Sequence, residues 1–577
     1  MYSADIQKLP RQYVPADFMI SNWEGLALYF EELYARDLAD VSSLEKWLRD
    51  LSELEAVISE DACWRQIKMT CDTENKELEE RFNYFMLEIQ PHIQLWSDKL
   101  NRKLVDCPFT AQLDTKKYFT FLRSIRKQID LFREENIPVI AELNVLQQQF
   151  GVIAGKMTVT VKGQEYTIQQ AAKFLEDEDR ALREQVYLQI ADRRYQDQAA
   201  LTSLFEQLIE KRVTIAANTG YADYGEYRFL ELGRFDYDRA MCEQFHEAVR
   251  DYVMPLVNEL YERKRKKLGV DQLRPWDLEA EPIGTKPLRP FSNGDELTKK
   301  TVACLQELRP FFGDCLARME KMGHLDLESR KGKAPGGYNC PLAESGAPFI
   351  FMNAAGTLDD VTTMVHEGGH AIHSFLCHSL ELNGFKEYPT EIAEVASMSM
   401  ELFTMEHWDI YFTDRTELSR AKEQQLERVI TIFPWIATID KFQHWLYSNP
   451  GHTAKQREEV WLSILNEFSS PVIDFTGLEK YRAVLWQRQL HLFEVPFYYI
   501  EYGIAQLGAI GLWQQYKKNP TQAIENYLNA LSLGGTRTLP DLFAAAGLTF
   551  DFSASTISSL MKFVQSELDQ ITLTTTS

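Results

Sequence analysis

The chain has few cysteines, and their positions argue against two classes of protein. Among its 577 residues there are 8 cysteines, and no two of them form a Cys-x-x-Cys pair. Such pairs and dense cysteine frameworks are typical of zinc ribbons and of small disulfide-rich secreted domains. Scattered thiols instead favour a protein of the reducing cytoplasm whose cysteines stay free.

Long hydrophobic runs are also missing. No stretch approaches the roughly 18 uncharged apolar residues that indicate a membrane-spanning helix. The opening segment, MYSADIQKLP, has no apolar region of the kind found in signal peptides. We therefore expect a cytoplasmic protein without a membrane partner.

Positive charge is scarce relative to negative charge. The chain has 62 Lys and Arg against 85 Asp and Glu, which gives a formal net charge of −23. This imbalance argues against a nucleic-acid partner. It is typical of a solvated acidic surface, and a cavity that favours cationic ligands is the alternative. The length exceeds what one core usually supports, so we expect more than one lobe.

The hydrophobic pattern divides the chain into three segments. Leu, Phe and Ile recur at three- and four-residue steps over about 74–105 and 115–150, which predicts helices and an N-terminal helical lobe at 1–150. A second helical lobe at 151–330 is expected to contain a small hairpin around Lys162-Gly163 and a Pro- and Gly-rich surface connection at 270–294. The third segment, 331–577, contains the motifs described next.

One stretch of the third segment has the spacing of a catalytic metal site. It reads His366-Glu367-Gly-Gly-His370. On a helix, residues four apart lie on one face, so the two imidazoles can bind one ion while Glu367 reaches a water molecule beside it. Upstream, Thr357 and Asp360 have capping-box spacing, which predicts a helix start. The alternative is a chance occurrence of a short pattern.

Two glycines lie between the histidines of this motif. Gly368 and Gly369 each cost about 1 kcal/mol of helix propensity relative to alanine. We therefore expect another backbone to approach this helix closely, and a bound substrate strand is one candidate.

The following segment supplies acids for the same site. Thr390 is placed to cap a helix in which Glu394 and Glu401 lie seven residues apart, two turns along one side. Glu391 is a third acid on this otherwise apolar helix. Buried acids need a cation, and two histidines with one glutamate form a known catalytic zinc environment. From spacing alone, either Glu391 or Glu394 can be the third ligand.

A short apolar strand is predicted at 349–353, ahead of the metal motif. A strand beside such a site can pair with an extended peptide, which makes Phe349, Phe351 and Asn353 candidate substrate contacts. A buried strand of a small sheet is the alternative, and the two interpretations are compatible.

Histidine and tyrosine cluster near the end of the chain. His491, Tyr498, Tyr499 and Tyr502 surround Pro496, which is predicted to start a helix rich in glycine and alanine. Aromatic side chains at such spacing usually lie in a core. The alternative is that the cluster lines a pocket and donates hydrogen bonds.

One further histidine lies in a mostly apolar helical pattern at 430–447. This setting predicts that His444 is an interior histidine with satisfied hydrogen bonds and not a metal ligand.

Taken together, these motifs resemble one family of enzymes. The resemblance depends on four motifs: His366-Glu-Gly-Gly-His-Ala-Ile-His-Ser, Ala393-Glu-Val-Ala-Ser with Glu401, Phe442-Gln-His-Trp-Leu-Tyr and Phe497-Tyr-Tyr-Ile-Glu-Tyr-Gly-Ile-Ala-Gln-Leu-Gly. They are similar to the oligoendopeptidase F and Pz-peptidase branch of the thimet-oligopeptidase-like metallopeptidases. The resemblance implies a mostly α fold: a helical ellipsoid with a deep substrate channel, a zinc-binding helix pair and a small β element lining the cleft.

The resemblance also implies roles for residues. By motif position, Glu394 is the third zinc ligand, and Glu401 contacts the ligands without binding the zinc ion itself. Tyr499 and Tyr502 match the family pair that contacts the substrate and the oxyanion, with Tyr498 beside them. His491 corresponds to a nearby family histidine at a spacing that differs by about one residue. Where Gly368 stands, the family usually has a bulky apolar residue.

The leading functional hypothesis is a zinc-dependent endopeptidase for short oligopeptides. It would hold one zinc ion per chain within the catalytic region 331–577, which is expected to pack with the other lobes as one unit. Glu367 would act as general base. The alternatives are a catalytically idle peptide-binding protein and a zinc hydrolase of a non-peptide amide. The oligomeric state is not predicted.

Overall fold

The computed structural model describes residues 3–6, 8, 10–330, 332–334 and 336–576, with backbone only for 572–576. It is mostly helical, which confirms the predicted fold class. None of the helices in this part of the chain is long and apolar enough to cross a membrane.

The α-helices follow one another through most of the chain. In chain order they are α1 Trp23–Ala35, α2 Val41–Cys71, α3 Lys76–Tyr84, α4 Gln90–Asp106, α5 Thr115–Leu131, α6 Asn136–Gly155, α7 Ile168–Ala172, α8 Arg180–Gln196, α9 Gln198–Thr219, α10 Tyr224–Glu231, α11 Arg239–Ala248, α12 Met254–Leu268, α13 Gly294–Leu308, α14 Pro310–Met322, α15 Leu358–Cys377, α16 Thr390–Phe403, α17 Arg415–Ser448, α18 Ala454–Glu467, α19 Glu479–Ala483, α20 Leu490–Glu494, α21 Tyr499–Lys518, α22 Pro520–Leu531, α23 Leu539–Ala545 and α24 Ala554–Thr576. Shorter 3₁₀ segments lie at Thr110–Gln112, Lys173–Glu176, Pro275–Asp277, Asn383–Phe385, Thr404–Ile410 and Leu485–Arg488, and π-helical turns at Phe85–Ile89 and Val249–Val253.

Among the residues that the structure describes, two small sheets interrupt the helices. Strands β1 (Thr158–Val161) and β2 (Gln164–Thr167) form the predicted antiparallel hairpin. Its turn residues, Lys162 and Gly163, both have positive φ, as a tight two-residue hairpin turn requires. The second sheet contains β3 (Leu325–Glu328), β4 (Tyr338–Cys340) and β5 (Phe349–Ala354) in the order β3-β5-β4.

The chain forms two compact units, each built from separated segments. The first unit contains residues 1–134, 289–418 and 508–550, and the second contains 135–288, 419–507 and 551–577. Of the sequence-based boundaries, 150/151 falls inside α6, and 330/331 falls between two strands of one sheet. Composition marks surface connections, whereas the units depend on which helices pack together across long sequence distances.

Two apolar centres lie in the part of the first unit that the structure describes. The larger joins α1, α2, α4 and α5 through fully buried side chains such as Trp47 and Leu54. The smaller packs Ile67 of α2 against Phe349 and Phe351 of β5. This second centre anchors the sheet that precedes α15.

The predicted close backbone approach at the paired glycines is between two helices. A Cβ atom built on Gly369 would lie 2.5 Å from the Cα of Ser397 and 2.6 Å from the carbonyl oxygen of Ala396, both in α16. At Gly368 the nearest atom is a methyl group of Leu305 at 3.7 Å, an ordinary contact. Gly369 therefore allows α15 and α16 to pack backbone to backbone.

This contact predicts opposite effects for two similar substitutions. Gly369→Ala would force α15 and α16 apart and lower the free energy of unfolding by about 2 kcal/mol or more, the usual cost of overpacking. Gly368→Ala should be neutral or should raise it by up to about 1 kcal/mol, because alanine favours helix. Urea unfolding of both variants measures the difference, and equal stabilities would contradict the packing argument.

Candidate metal centre and active site

Helix α15 begins as the sequence predicted. The hydroxyl oxygen of Thr357 accepts a hydrogen bond from the backbone N–H of Asp360, and the Asp360 carboxylate accepts one from the backbone N–H of Thr357 at 2.8 Å. Helix α16 differs slightly from the prediction, because Thr390 is its first residue and Pro389 occupies the cap position without a side-chain hydrogen bond.

Three donor atoms from the two helices point at a common position. The Nε2 atom of His366 lies 3.3 Å from Oε2 of Glu394, and Nε2 of His370 lies 3.8 Å from the same oxygen. The three residues present donors that all lie within 4.8 Å of one another. Ligands around a tetrahedral zinc ion are separated by about 3.4 Å, so the arrangement fits zinc.

Two further side chains orient these donors. Nδ1 of His366 lies 2.7 Å from Oε1 of Glu401, which leaves Nε2 as the nitrogen that faces Glu394. A carboxylate on the second nitrogen commonly fixes the ring of a metal-binding histidine. The hydroxyl of Ser397 donates a hydrogen bond to Oε2 of Glu394 at 3.2 Å. Glu391 is buried but is not part of the donor group.

In the metal-free centre the pKa values of the two histidines are shifted in opposite directions. Burial opposes the charge on His366, but the carboxylates of Glu394 and Glu401 hold its pKa well above the usual value. Burial lowers the pKa of His370 to about 4, despite the neighbouring Glu394. The two carboxylates therefore favour a positive charge at His366, which a bound metal ion would supply in place of a proton.

Glu367 carries the features expected of a general base. Its side chain is buried, and burial raises its pKa to about 7. Within the described part of the chain its Oε2 atom has no hydrogen-bond partner, an uncommon state for a buried carboxylate. The amide of Asn339 on β4 donates to the Glu367 carbonyl oxygen at 3.2 Å, a contact that sequence reasoning did not single out.

The strand predicted at 349–353 is the central strand of its sheet, which agrees with the buried-strand alternative and not with an open substrate edge. Over Phe349–Phe351 the backbone of β5 pairs with β4 on one side, and Ile350 and Phe351 pair with β3 on the other. The rings of Phe349 and Phe351 are buried in the core, and the amide of Asn353 donates to the carbonyl oxygens of Ala334 and Gly336. Since both edges of β5 are used there, strand addition to β5 is excluded, and the edge strands are β3 and β4.

The predicted histidine–tyrosine cluster forms within the second unit. The ring centroid of His491 lies 4.9 Å from that of Tyr499, 5.7 Å from that of Tyr498 and 5.8 Å from that of Tyr502. The hydroxyl of Tyr502 is 3.4 Å from Nε2 of His491, and Gln489 contacts the other ring nitrogen at 2.7 Å.

The helix that carries these tyrosines begins later than predicted. It starts at Tyr499 and not at Pro496, because Phe497 has a φ of 66°, which an α-helix does not allow. This strained residue is held from both sides: its N–H donates to Oε1 of Gln443 at 2.5 Å, and its carbonyl oxygen accepts from Arg234. Arg234 also forms a buried ion pair with Glu501 at 2.8 Å.

Comparison with known proteins identifies the family. The description "Peptidase family M3" matches residues 173–561, and "Peptidase M3 N-terminal domain" matches residues 16–132. The chain belongs to peptidase family M3. The first match includes the metal-binding motif, the acidic helix α16 and the tyrosine cluster, and it spans more than half of the chain.

Several M3 relatives belong to one branch. An oligoendopeptidase F homolog of Borreliella burgdorferi is 23% identical over 69% of this chain and 66% of that protein. The chromosomal oligoendopeptidase F of Lactococcus lactis subsp. cremoris is 22% identical over 55% of this chain and 52% of that protein. The chain thus matches about half to two thirds of the length of these curated relatives.

A solved structure extends the likeness to almost the whole chain. PZ peptidase A with an inhibitor superimposes with a TM-score of 0.90 and 25% identity, covering 96% of this chain and 99% of that chain. The predicted oligoendopeptidase F branch and the metalloendopeptidase class are confirmed at the level of family.

The geometry of the M3 centre predicts which acid binds the metal. Glu394→Ala should lose the ion, because it removes a donor 3.3 Å from His366 Nε2. Glu391→Ala removes a neighbouring buried acid and should keep the ion. Zinc content of the two purified variants measures the difference, and loss of the metal from Glu391→Ala alone would reverse the assignment.

Proposed function

We propose that this M3 protein is a zinc-dependent endopeptidase that hydrolyses short oligopeptides. The observation that carries the proposal is the convergence of His366, His370 and Glu394 on one position, with a Glu367 carboxylate oxygen, which has no hydrogen bond, next to His366 in α15. Two histidines, one glutamate and a free general base are the set that metal-assisted peptide hydrolysis requires.

Glu367 is proposed to transfer the proton of the attacking water to the leaving amine. Zinc held by the three ligands would supply a Lewis acid that polarises the scissile carbonyl and acidifies water. Glu367 accepts the proton of the attacking water and passes it to the leaving amine. Its pKa of about 7 in the metal-free protein places it close to the range in which a base can both accept and return a proton near neutral pH.

The edge strand β4 is proposed to align the peptide backbone. It is an outer strand of the sheet next to α15, and Asn339 ties it to the carbonyl oxygen of Glu367. An extended peptide that pairs with Tyr338–Cys340 would be held in register with the general base through main-chain hydrogen bonds, which suit many sequences.

The tyrosines are proposed to contact the substrate and the developing oxyanion. This role rests on the family resemblance of Tyr499 and Tyr502, together with the histidine beside them. His491 lies 3.4 Å from the Tyr502 hydroxyl and can orient it.

The first test replaces the general base. Glu367→Gln should retain zinc but lose at least about 100-fold in kcat, because an amide cannot accept the proton and such groups contribute roughly 10²- to 10⁴-fold. Glu391→Gln is the matched control, a buried acid of α16 outside the donor group. Turnover of an internally quenched peptide, with metal content measured in parallel, checks the result. A Glu367→Gln enzyme with more than about a tenth of the original kcat would refute the role.

The second test removes single hydroxyl groups. Tyr502→Phe or Tyr499→Phe should lower kcat by about 100-fold with little change in melting temperature, since a transition-state hydrogen-bond donor is typically worth that much. Tyr224→Phe is the control, a buried tyrosine of the same unit outside the cluster. Unchanged kcat in both cluster variants would remove the tyrosines from the mechanism and leave the metal centre untouched.

A further inference from the structure

A second group of metal-binding residues lies inside the second unit, apart from the centre described above. Cys242 and His246 are four residues apart on α11, and Asp440 and His444 are four residues apart on α17. Residues four apart share a helix face, so each helix presents a pair of donors. All four side chains are buried, with exposed fractions of 0, 2, 0 and 6%.

The distances within this group suit a bound ion. The Sγ atom of Cys242, a carboxylate oxygen of Asp440 and a ring nitrogen of His444 lie within 4.8 Å of one another. Oδ2 of Asp440 is 3.3 Å from Nε2 of His444 and 2.8 Å from Nε2 of His246. Donors around a zinc ion are separated by about 3.3–3.8 Å, so the first three are close to that range, and His246 joins them through its contact with Asp440.

Two polar atoms in this interior group make no hydrogen bond, although one of them lies 3.3 Å from a carboxylate oxygen of Asp440. Oδ1 of Asp440 and Nε2 of His444 are buried without a hydrogen bond in the part of the chain that the structure describes. The interior position predicted for His444 is confirmed, and its Nε2 atom has a 3.3 Å contact with Asp440 in place of a hydrogen bond. Burying such atoms without hydrogen bonds destabilises the fold, and a bound cation would offset that cost.

The charges of the group also favour a cation. Burial opposes ionisation of Asp440, but His444 and His246 hold its pKa well below the usual range. Burial raises the pKa of the Cys242 thiol well above its usual value, so without an ion the thiol keeps its proton. A transition-metal ion would displace that proton into solvent and bind the thiolate.

We propose that Cys242, His246, Asp440 and His444 form a structural site for a divalent transition metal of the zinc type. One sulfur, two nitrogens and one oxygen give the four donors of a closed tetrahedral site, and this set favours zinc over magnesium or calcium. Because every donor is buried, the site has no open position for a substrate. It would cross-link α11 to α17, and it does not depend on the proposed catalytic function.

Cobalt spectroscopy tests the proposal without measuring activity. Metal-free protein titrated with Co²⁺ should develop an ultraviolet thiolate-to-cobalt charge-transfer band when Cys242 binds the ion. The centre at His366, His370 and Glu394 has no sulfur donor, so this band does not arise from it. The band should disappear in Cys242→Val and persist in Cys340→Val, a matched replacement of another buried thiol. Absence of the band in the unaltered protein, or its persistence in Cys242→Val, would overturn the proposal.

Metal content gives a second readout. The unaltered protein should bind about two zinc ions per chain, and His370→Ala and Asp440→Asn should each retain one. Asp440→Asn preserves side-chain size, so it serves if Cys242→Val does not fold. The opposite result is an unaltered protein that binds only one zinc ion, with Asp440→Asn binding the same amount. That result would overturn the proposal and show that the group is only a hydrogen-bonded network between helices.

Discussion

The contact between α15 and α16 at Gly369 is the constraint on which the metal centre depends. A Cβ atom at this position would lie 2.5 Å from the Cα of Ser397, so the two helices pack closer than any side chain at residue 369 would allow. That approach brings Glu394 to the two histidines and Glu401 to the back of His366. Gly369 thus lowers the helix propensity of α15, but it allows the close packing that brings the ligands together.

Burial then couples the charged groups that the two helices bring together. Glu394 and Glu401 favour a proton on His366 by raising its pKa, whereas burial lowers the pKa of His370 to about 4 and raises that of Glu367 to about 7. A bound cation would replace that proton and leave Glu367 as the nearby carboxylate without a hydrogen-bond partner. The ligands and the base therefore act as one electrostatic unit, in which removing any acid changes the others.

Features set by neighbouring residues could be predicted from the sequence, and features set by distant packing could not. The capping box at Thr357, the four-residue ligand spacing, the hairpin and the strand near 349 are local, and the structure contains them. The central position of β5 depends on pairing with β3 and β4, which no local pattern reports. The left-handed backbone of Phe497 is held by Gln443 and Arg234, which are distant in the sequence. The local pattern therefore predicts a helix start at Pro496, whereas the helix begins at Tyr499.

The central claim is that the two-helix centre makes the protein a metal-dependent endopeptidase. The most direct measurement is mass spectrometry of the products that chelator-treated protein forms from a mixed peptide library, before and after zinc is restored. The account predicts no cleavage without metal, and cleavage at internal bonds of short peptides once zinc is returned. Internal cleavage by the metal-free protein, or none after zinc loading of the intact centre, would contradict it.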